Sequence, residues 1–582
     1  MQVHDILSRL KEKRICFLIN VKGDFKLWKK FIPAFEWLTN YKRDDLSGDI
    51  SAGLIVAIML IPQGMAYAML AGLDPVIGLY TSTIPLVVYA LFGTSRQLAV
   101  GPVAMVSLLV LSGVSTLAEP GTAEYISFVL LLMLMVGLIQ MLLGVLKLGF
   151  LVNFLSHAVI SGFTSAAAII IGLSQLKDLT GVHYEAGKSE VFLLIAEAIK
   201  RFTEINPITF IIGLISILLL VVFKKYFKKI PSPIVVVAFS ILAVYGFKLY
   251  EYGVSIVGVV PKGLPGISIP AFNLDSVIAL LPIALTITFV GFMESIAMAK
   301  AIAAKEKYKI NANQELIGLG LANVSGSFFS AYPVTGGFSR SAVNYQSGAR
   351  TPLASMITAV LIMLTLLFFT DLFYYLPKAV LAAIIMVAVY SLIDFGEAKQ
   401  LFKINRADGW TWFITFGSTL VLGIQKGIFI GIVFSLIVYV SKNAYPHIAE
   451  LGFIPDRGVY RNIERYPNAK DDPEVMIFRV DSDLFFANMS FIEDKLCERI
   501  AVKPTTKYII MDFSGVNSMD AVSIHSLEEM MNTCKKGTTF LFAEIKGPVM
   551  DVLKKAGWHT KYRENIHYLS IDQALKAIGK TG

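Results

Sequence analysis

From about Ile50 to Val440 the chain is a succession of long apolar runs separated by short polar breaks, and this leaves few ways to fold. A bilayer core offers no water to an unpaired N–H or C=O, so a spanning chain must satisfy its backbone internally, as helices or a closed barrel. The runs approach the roughly 20 residues that a spanning helix needs. They begin near Ile50, Val76, Val103, Ile126, Asn153, Ile208, Pro231, Asp275, Ala312, Gly337, Leu353, Lys378, Gly409 and Gly427, which gives about fourteen segments. With 55% hydrophobic and only 16% charged residues, and a mean hydropathy of +0.65, the chain is too apolar for a soluble protein.

From Asp456 onward the composition becomes that of an ordinary soluble domain of roughly 120 residues. Strands are expected at 475–480, 508–512 and 538–543, with helices at 491–500 and 521–535 between them, which predicts a small α/β domain. The expected division is a cytosolic segment over 1–44, a membrane domain over 45–447, and a linker with a cytosolic domain over 448–582.

The net charge of +9 sits beside the spans and does not form a nucleic-acid footprint. Basic residues from Arg9 to Arg43, and Lys224, Lys225, Lys228 and Lys229 between two spans, mark one side as cytoplasmic. An even count of spans returns the chain to that side at Ser441. The stretches 300–309 and 399–406 fall there too, while the mixed-charge stretch from Lys177 to Glu190 falls outside. Cys16, Cys497 and Cys534 lie in cytosolic segments and are expected as free thiols. The first long apolar run reads as a span, not as a cleaved signal. Neither a metal-ligand spacing, nor a nucleotide-binding loop, nor a Ser/His/Asp arrangement is evident, so neither cofactor nor enzymatic activity is expected.

Two apolar runs break and restart at once. The first break is Ala99-Val100-Gly101-Pro102-Val103-Ala104; the second is Thr335-Gly336-Gly337-Phe338-Ser339-Arg340-Ser341. A half-helix that begins inside a bilayer aims unsatisfied N–H groups and a positive dipole end inward. Breaks in corresponding positions of two halves point to a transporter's substrate site. Their places fit a seven-plus-seven inverted repeat, and Arg340 beside the second break makes the substrate an anion. Ser339 could add a hydroxyl donor, and Arg340 is read as setting the field of the site; the alternative is a structural pairing with an acid.

Pro62-Gln63-Gly64-Met65-Ala66-Tyr67 lies in the first run. Pro and Gly there allow another backbone to approach, and Gln63 and Tyr67 share a face one turn apart. Polar residues within membranes usually serve a site, although helix packing around a Pro kink is the plainer explanation. Glu294 stands well inside the eighth run, where an ionised carboxylate is costly. A carboxylate near an anion site suits proton coupling; a permanent ion pair with Arg340 or Lys300, or a sodium site, are the rivals. His157 is expected to be structural or interfacial.

These residues carry a resemblance. Asp45-Leu46, Pro62 through Ala68, Gly78-Leu79-Tyr80, Phe92-Gly93-Thr94-Ser95-Arg96, Gly101-Pro102 and Gly336 through Ser341 resemble the sulfate permease (SulP) family of anion transporters, and the soluble part resembles its STAS domain. The resemblance implies a helical membrane protein of core and gate domains moving in an elevator-like cycle, and a homodimer in the cell membrane. It implies a site of Gln63, Tyr67, Val103, Ala104, Phe338, Ser339 and Arg340, with Glu294 at the ion-coupling position. Val103 stands where some members carry an aromatic residue, which leaves space for a larger oxyanion. In the STAS part, Ala521 and Val522 replace the serines of a phosphorylation switch and leave Ser523 as a weak substitute.

The expected function is secondary active transport of an oxyanion, foremost sulfate with proton symport. A bicarbonate or dicarboxylate transporter, an uncoupled anion channel, and a membrane sensor signalling through its STAS domain are the alternatives.

Overall fold

The computed structural model describes residues 32–150, 156–182, 191–226, 231–533 and 537–580. Most of the basic N-terminal segment, residues 183–190, Lys228, Lys229, Cys16 and Cys534 lie outside the described residues. The chain divides into two compact units after Phe434.

Each expected run forms a helix, all within the first unit except the last, which runs past Phe434. The spans are α1 (Arg43–Leu70), α2 (Pro75–Phe92, interrupted at Ser82 and Thr83), α3 (Ala104–Val114), α4 (Ala123–Val145), α5 (His157–Thr180), α6 (Pro207–Tyr226) and α7 (Ser232–Gly246). The second set is α8 (Leu274–Glu306), α9 (Ala312–Ser327), α10 (Phe338–Gln346), α11 (Leu353–Phe368), α12 (Lys378–Tyr390), α13 (Arg406–Leu422) and α14 (Ile424–Ala444). Among the described residues, seven helices are long and apolar enough to cross a membrane, and four shorter apolar helices accompany them. Large exposed apolar side chains such as Leu138, Leu142, Phe239, Leu242, Phe429 and Ile437 suit a lipid surround.

The packing partners recur with the halves exchanged. α1 packs on α11 as α8 packs on α4, and α6 packs on α12 as α13 packs on α5. This is the signature of two inverted repeats. The helices α1–α4 and α8–α11 form one packed group, and α5–α7 with α12–α14 form another.

Close helix crossings use glycine, because lipid supplies no hydrophobic drive and small residues let backbones approach. A Cβ on Gly78 would meet the Gly64 carbonyl oxygen at 1.9 Å, so α1 and α2 cross backbone to backbone beside Pro62. Gly137 and Gly320 do the same for α4 and α9, where a Cβ on either residue would meet the other's carbonyl oxygen at 2.8 Å.

Two buried carboxylates tie down loops around these helices. Glu315 of α9 accepts from the Thr94 N–H (2.6 Å), the Ser95 N–H (2.9 Å), the Thr94 hydroxyl (2.5 Å) and the Tyr89 hydroxyl (2.6 Å). Asp49 of α1 accepts from the Arg350 N–H (2.8 Å), the Thr351 N–H (3.0 Å), the Thr351 hydroxyl (2.6 Å) and the Tyr41 hydroxyl (3.3 Å). The first clamp fixes the approach to the first break, and the second fixes the exit from the second.

The second unit is an α/β domain. Its five-stranded sheet has the order β4-β3-β5-β6-β7 with β3 (Ile448–Ile454), β4 (Val459–Asn462), β5 (Val475–Val480), β6 (Tyr508–Asp512) and β7 (Thr539–Ala543), where β1 and β2 are the two short strands of the membrane unit described below. β5, β6 and β7 run parallel and the β3–β4 hairpin is antiparallel. The helices α15 (Met489–Val502) and α16 (Ala521–Thr533) connect the parallel strands, as parallel pairing requires. Phe478, Phe513, Phe542 and Trp558 are fully buried in its core. Ser523 is buried, and its hydroxyl donates to the Asp520 carbonyl at 2.8 Å, so it is not presented as a phosphorylation site.

Candidate functional site

Both breaks are extended chain leading into a helix. Val100–Gly101 (β1) pairs antiparallel with Thr335–Gly336 (β2), with Val100 opposite Gly336 and Gly101 opposite Thr335. The Gly337 N–H adds a bond to the Ala99 carbonyl at 3.2 Å. Extended chain in mid-membrane thereby satisfies its backbone, with each break serving as the other's partner. Gly101 has φ +150°, and a Cβ there would meet Arg340 Nη2 at 3.2 Å.

Each strand feeds a half-helix. Val103 precedes α3 and Gly337 precedes α10, both with extended backbone and neither helix with a side-chain cap. Apart from the Phe338 N–H, which faces Glu294, the first-turn N–H groups are therefore left for the space between the breaks, together with two positive dipole ends. Such a pair of N-termini is an anion site in waiting.

Arg340 holds the breaks together. It is 3% exposed. Its Nη1 donates to the Pro102 carbonyl at 2.9 Å, and its Nε and Nη2 donate to the Ala99 carbonyl at 3.2 and 3.1 Å. The guanidinium is thus engaged by backbone, and its charge is left uncancelled by an ion pair among the described residues. Tyr67, Glu294 and Tyr332 lie within electrostatic reach of it.

Glu294 is placed by its neighbour. The Ser295 and Thr335 hydroxyls lie 2.6 Å apart and share two protons between this contact and the Gly291 carbonyl, which Ser295 reaches at 2.8 Å, while Ser295 accepts from the Gly336 N–H at 2.8 Å. The Thr335 hydroxyl also lies within hydrogen-bond reach of the Gly291 carbonyl. This lock fastens α8 to β2 and sets the half-buried Glu294 carboxyl against the Phe338 N–H, the first of α10.

A cavity of about 830 Å³ opens over this arrangement. Every residue singled out from the sequence lines it: Gln63 and Tyr67 from α1, Val103 and Ala104 at the first break, Glu294 from α8, and Phe338, Ser339 and Arg340 at the second. Phe338 and Ser339 are exposed to the cavity, whereas Gln63, Tyr67, Val103 and Ala104 are buried in its wall. A Cβ on Gly337 would meet Val103 Cγ1 and Arg340 Nη2, each at 3.2 Å, so the two breaks are in contact through side chains as well.

Sequence reasoning missed several members. The Ser295–Thr335 lock, the Glu315 and Asp49 clamps, and Asn323, which accepts from the Val334 N–H at 2.8 Å, each join residues with no local signature. His157, expected to be structural or interfacial, lines the same cavity and sits with Nε2 2.5 Å from Glu397 Oε1. Ser161 donates to the other Glu397 oxygen at 2.6 Å.

Comparison with known proteins settles the lineage. The sulfate permease family matches residues 46–415, and the STAS domain matches residues 466–574. The chain belongs to the sulfate permease family. It is a multi-pass membrane transporter with a C-terminal STAS domain, and not an enzyme. It is 41% identical to "Sulfate transporter 4.1, chloroplastic" of Arabidopsis thaliana, over 89% of this chain and 78% of that protein. It is 35% identical to "High affinity sulfate transporter 2" of Stylosanthes hamata, over 94% of this chain and 86% of that one. Among solved structures it is similar to murine Slc26a9, an anion transporter captured inward-facing, with TM-score 0.89, 27% identity and 95% of each chain covered. The fold also resembles the transmembrane domain of the cyanobacterial transporter BicA, with TM-score 0.58 and 23% identity over 68% of this chain and 98% of that one.

Proposed function

We propose that this sulfate permease family member is a secondary active transporter of sulfate, driven by proton symport. The observation that carries the reading is the convergence of two uncapped half-helix N-termini on one cavity, with Arg340 bridging the breaks through the Ala99 and Pro102 carbonyls. A divalent oxyanion there meets N–H donors and positive fields, and it also meets the Glu294 carboxyl, which must be neutral for the anion to settle.

Arg340 sets the field and fixes the spacing of the breaks. Ser339, exposed to the cavity, adds a hydroxyl donor, while Gln63 and Tyr67 offer donors from the facing wall. Val103 leaves the site roomy enough for a tetrahedral anion. Glu294 carries the coupled proton: neutral, it removes the repulsion between its own charge and the incoming anion, and ionised, it expels the anion after release. Names of the plant relatives, which are sulfate transporters, support the choice of cargo.

Two packed groups of helices, with a cavity lined from both, support an elevator-like cycle in which α1–α4 and α8–α11 move against the others. The side bearing residues 399–406 is cytoplasmic in this reading, and the STAS domain lies there.

The test is uptake of radiolabelled sulfate by proteoliposomes under an imposed pH gradient, with bicarbonate, chloride and dicarboxylates as competitors. Accumulation above equilibrium with an alkaline interior supports symport. Downhill flux alone means a channel, and displacement by bicarbonate in preference to sulfate means a different cargo.

A further inference from the structure

A second cavity of about 890 Å³ lies apart from the first, where the short helix Ala34–Thr39 covers the ends of α1, α2, α8 and α11. Four cations from four separate chain segments line it: Lys42 ahead of α1, Arg96 after α2, Lys309 after α8 and Arg350 after α10. None of the four forms an ion pair among the described residues, although Glu36, Asp45 and Glu306 line the same cavity. Glu306 is taken by the Tyr345 hydroxyl, which donates to it at 2.8 Å. Arg96 is held in place, its guanidinium 4.9 Å over the Tyr308 ring, while Tyr308 donates to Gln97 Oε1 at 2.8 Å. The three carboxylates leave this lining with one net positive charge, and a further anion seated between the cations would screen their mutual repulsion.

The surroundings say how such an anion is presented. Trp37 lines the cavity and donates to the Ala90 carbonyl at 3.3 Å, an anchor suited to the membrane interface. Leu46, Ile50 and Leu54, spaced four residues apart, form an exposed apolar stripe along α1 that begins next in sequence to Asp45 of the cavity lining. A chain lying on that stripe would place a phosphate among the four cations.

We infer that this cavity is a binding site for a phosphate-bearing anion, filled by the headgroup of an acidic phospholipid. Its four cations donate hydrogen bonds to the phosphate oxygens, Arg96 and Arg350 through their guanidinium forks and Lys42 and Lys309 as point charges. Neither the transport cavity nor Arg340 contributes to it.

The experiment is native mass spectrometry of the full chain in detergent, titrated with phosphatidic acid, phosphatidylglycerol and phosphatidylcholine, and separately with glycerol phosphate. Binding of the two acidic lipids should exceed that of phosphatidylcholine by roughly tenfold or more. The double substitution Arg96→Gln with Lys309→Gln should abolish the preference; Lys42→Gln with Arg350→Gln is read the same way if the first does not fold. Displacement of the lipid by glycerol phosphate at equal affinity would assign the site to a free phosphate ester. Equal binding of all three lipids, or a preference unchanged in both double variants, overturns the proposal.

Discussion

Arg340, on the second break, donates to the Pro102 carbonyl oxygen of the first at 2.9 Å, across 238 positions of sequence. The two interrupted helices are therefore one structure, in which the cation is bonded by neutral acceptors and keeps its field. A hydrogen bond to a charged group contributes roughly 1.5–3 kcal/mol. Arg340→Ala removes such donors together with the charge, and sulfate uptake should fall by about a hundredfold or more, at about tenfold per 1.4 kcal/mol. Arg340→Lys, unable to reach both carbonyls through one planar fork, should rescue little. Uptake and size-exclusion profiles of the two variants check this; near-normal transport in either removes Arg340 from the site.

Glu294→Gln should make sulfate uptake indifferent to the pH gradient while sulfate–sulfate exchange continues, because the neutral amide imitates the protonated carboxyl. The comparison of net uptake and exchange in the same vesicles decides it. Full response to the gradient in the variant would pass the coupling role to another residue.

Ser295→Ala leaves the buried Gly336 N–H without its 2.8 Å partner and opens the lock on β2. An unsatisfied buried donor costs about 1–3 kcal/mol, so the thermal midpoint of the full chain should drop and the KM for sulfate should rise. Ser295→Thr keeps the hydroxyl and should recover most of both. A Cβ at Gly337 presses on Arg340 Nη2 and Val103 Cγ1 at 3.2 Å, so Gly337→Ala should raise KM several-fold with expression unchanged.

The soluble unit has its own pH signature. Hydrogen bonds from Lys507 and then Lys580 hold the Glu474 carboxyl down at about 2, and a hydrogen bond from Lys503 lowers Asp471. Groups held below their unfolded values stabilise the fold above about pH 4 and lose that contribution as pH falls through the folded value. Unfolding of this unit should become easier between about pH 4 and pH 2, and Lys507→Gln with Lys580→Gln should flatten that dependence. Tryptophan fluorescence of the full chain, through the buried Trp558, is the measurement; an unchanged acid limb in the double variant contradicts the assignment.

Much of the membrane unit was legible because its signals are local. Gly101-Pro102 and Gly336-Gly337 interrupt apolar runs, and Gln63, Tyr67 and Glu294 are polar where lipid penalises polarity. Gln63, Tyr67, Glu294 and Gly337 line one cavity. The partners of those residues were not legible. Glu315 meets Thr94 across 221 positions and Asp49 meets Thr351 across 302, with no periodicity to announce either pairing. The β1–β2 pair is two residues per strand, too short for an alternating pattern. In the soluble unit the parallel strands read as continuous apolar runs, as strands buried on both faces do. The β3–β4 hairpin, mixed in polarity and beside the last span, did not stand out.

The central claim is that the bridged breaks bind sulfate and that a proton gradient drives it. Uptake of radiolabelled sulfate into proteoliposomes with an alkaline interior, in wild type and Arg340→Ala side by side, tests it most directly. The wild type should accumulate sulfate above its external concentration and the variant should not. Accumulation that ignores the pH gradient, or that survives loss of Arg340, would contradict the account.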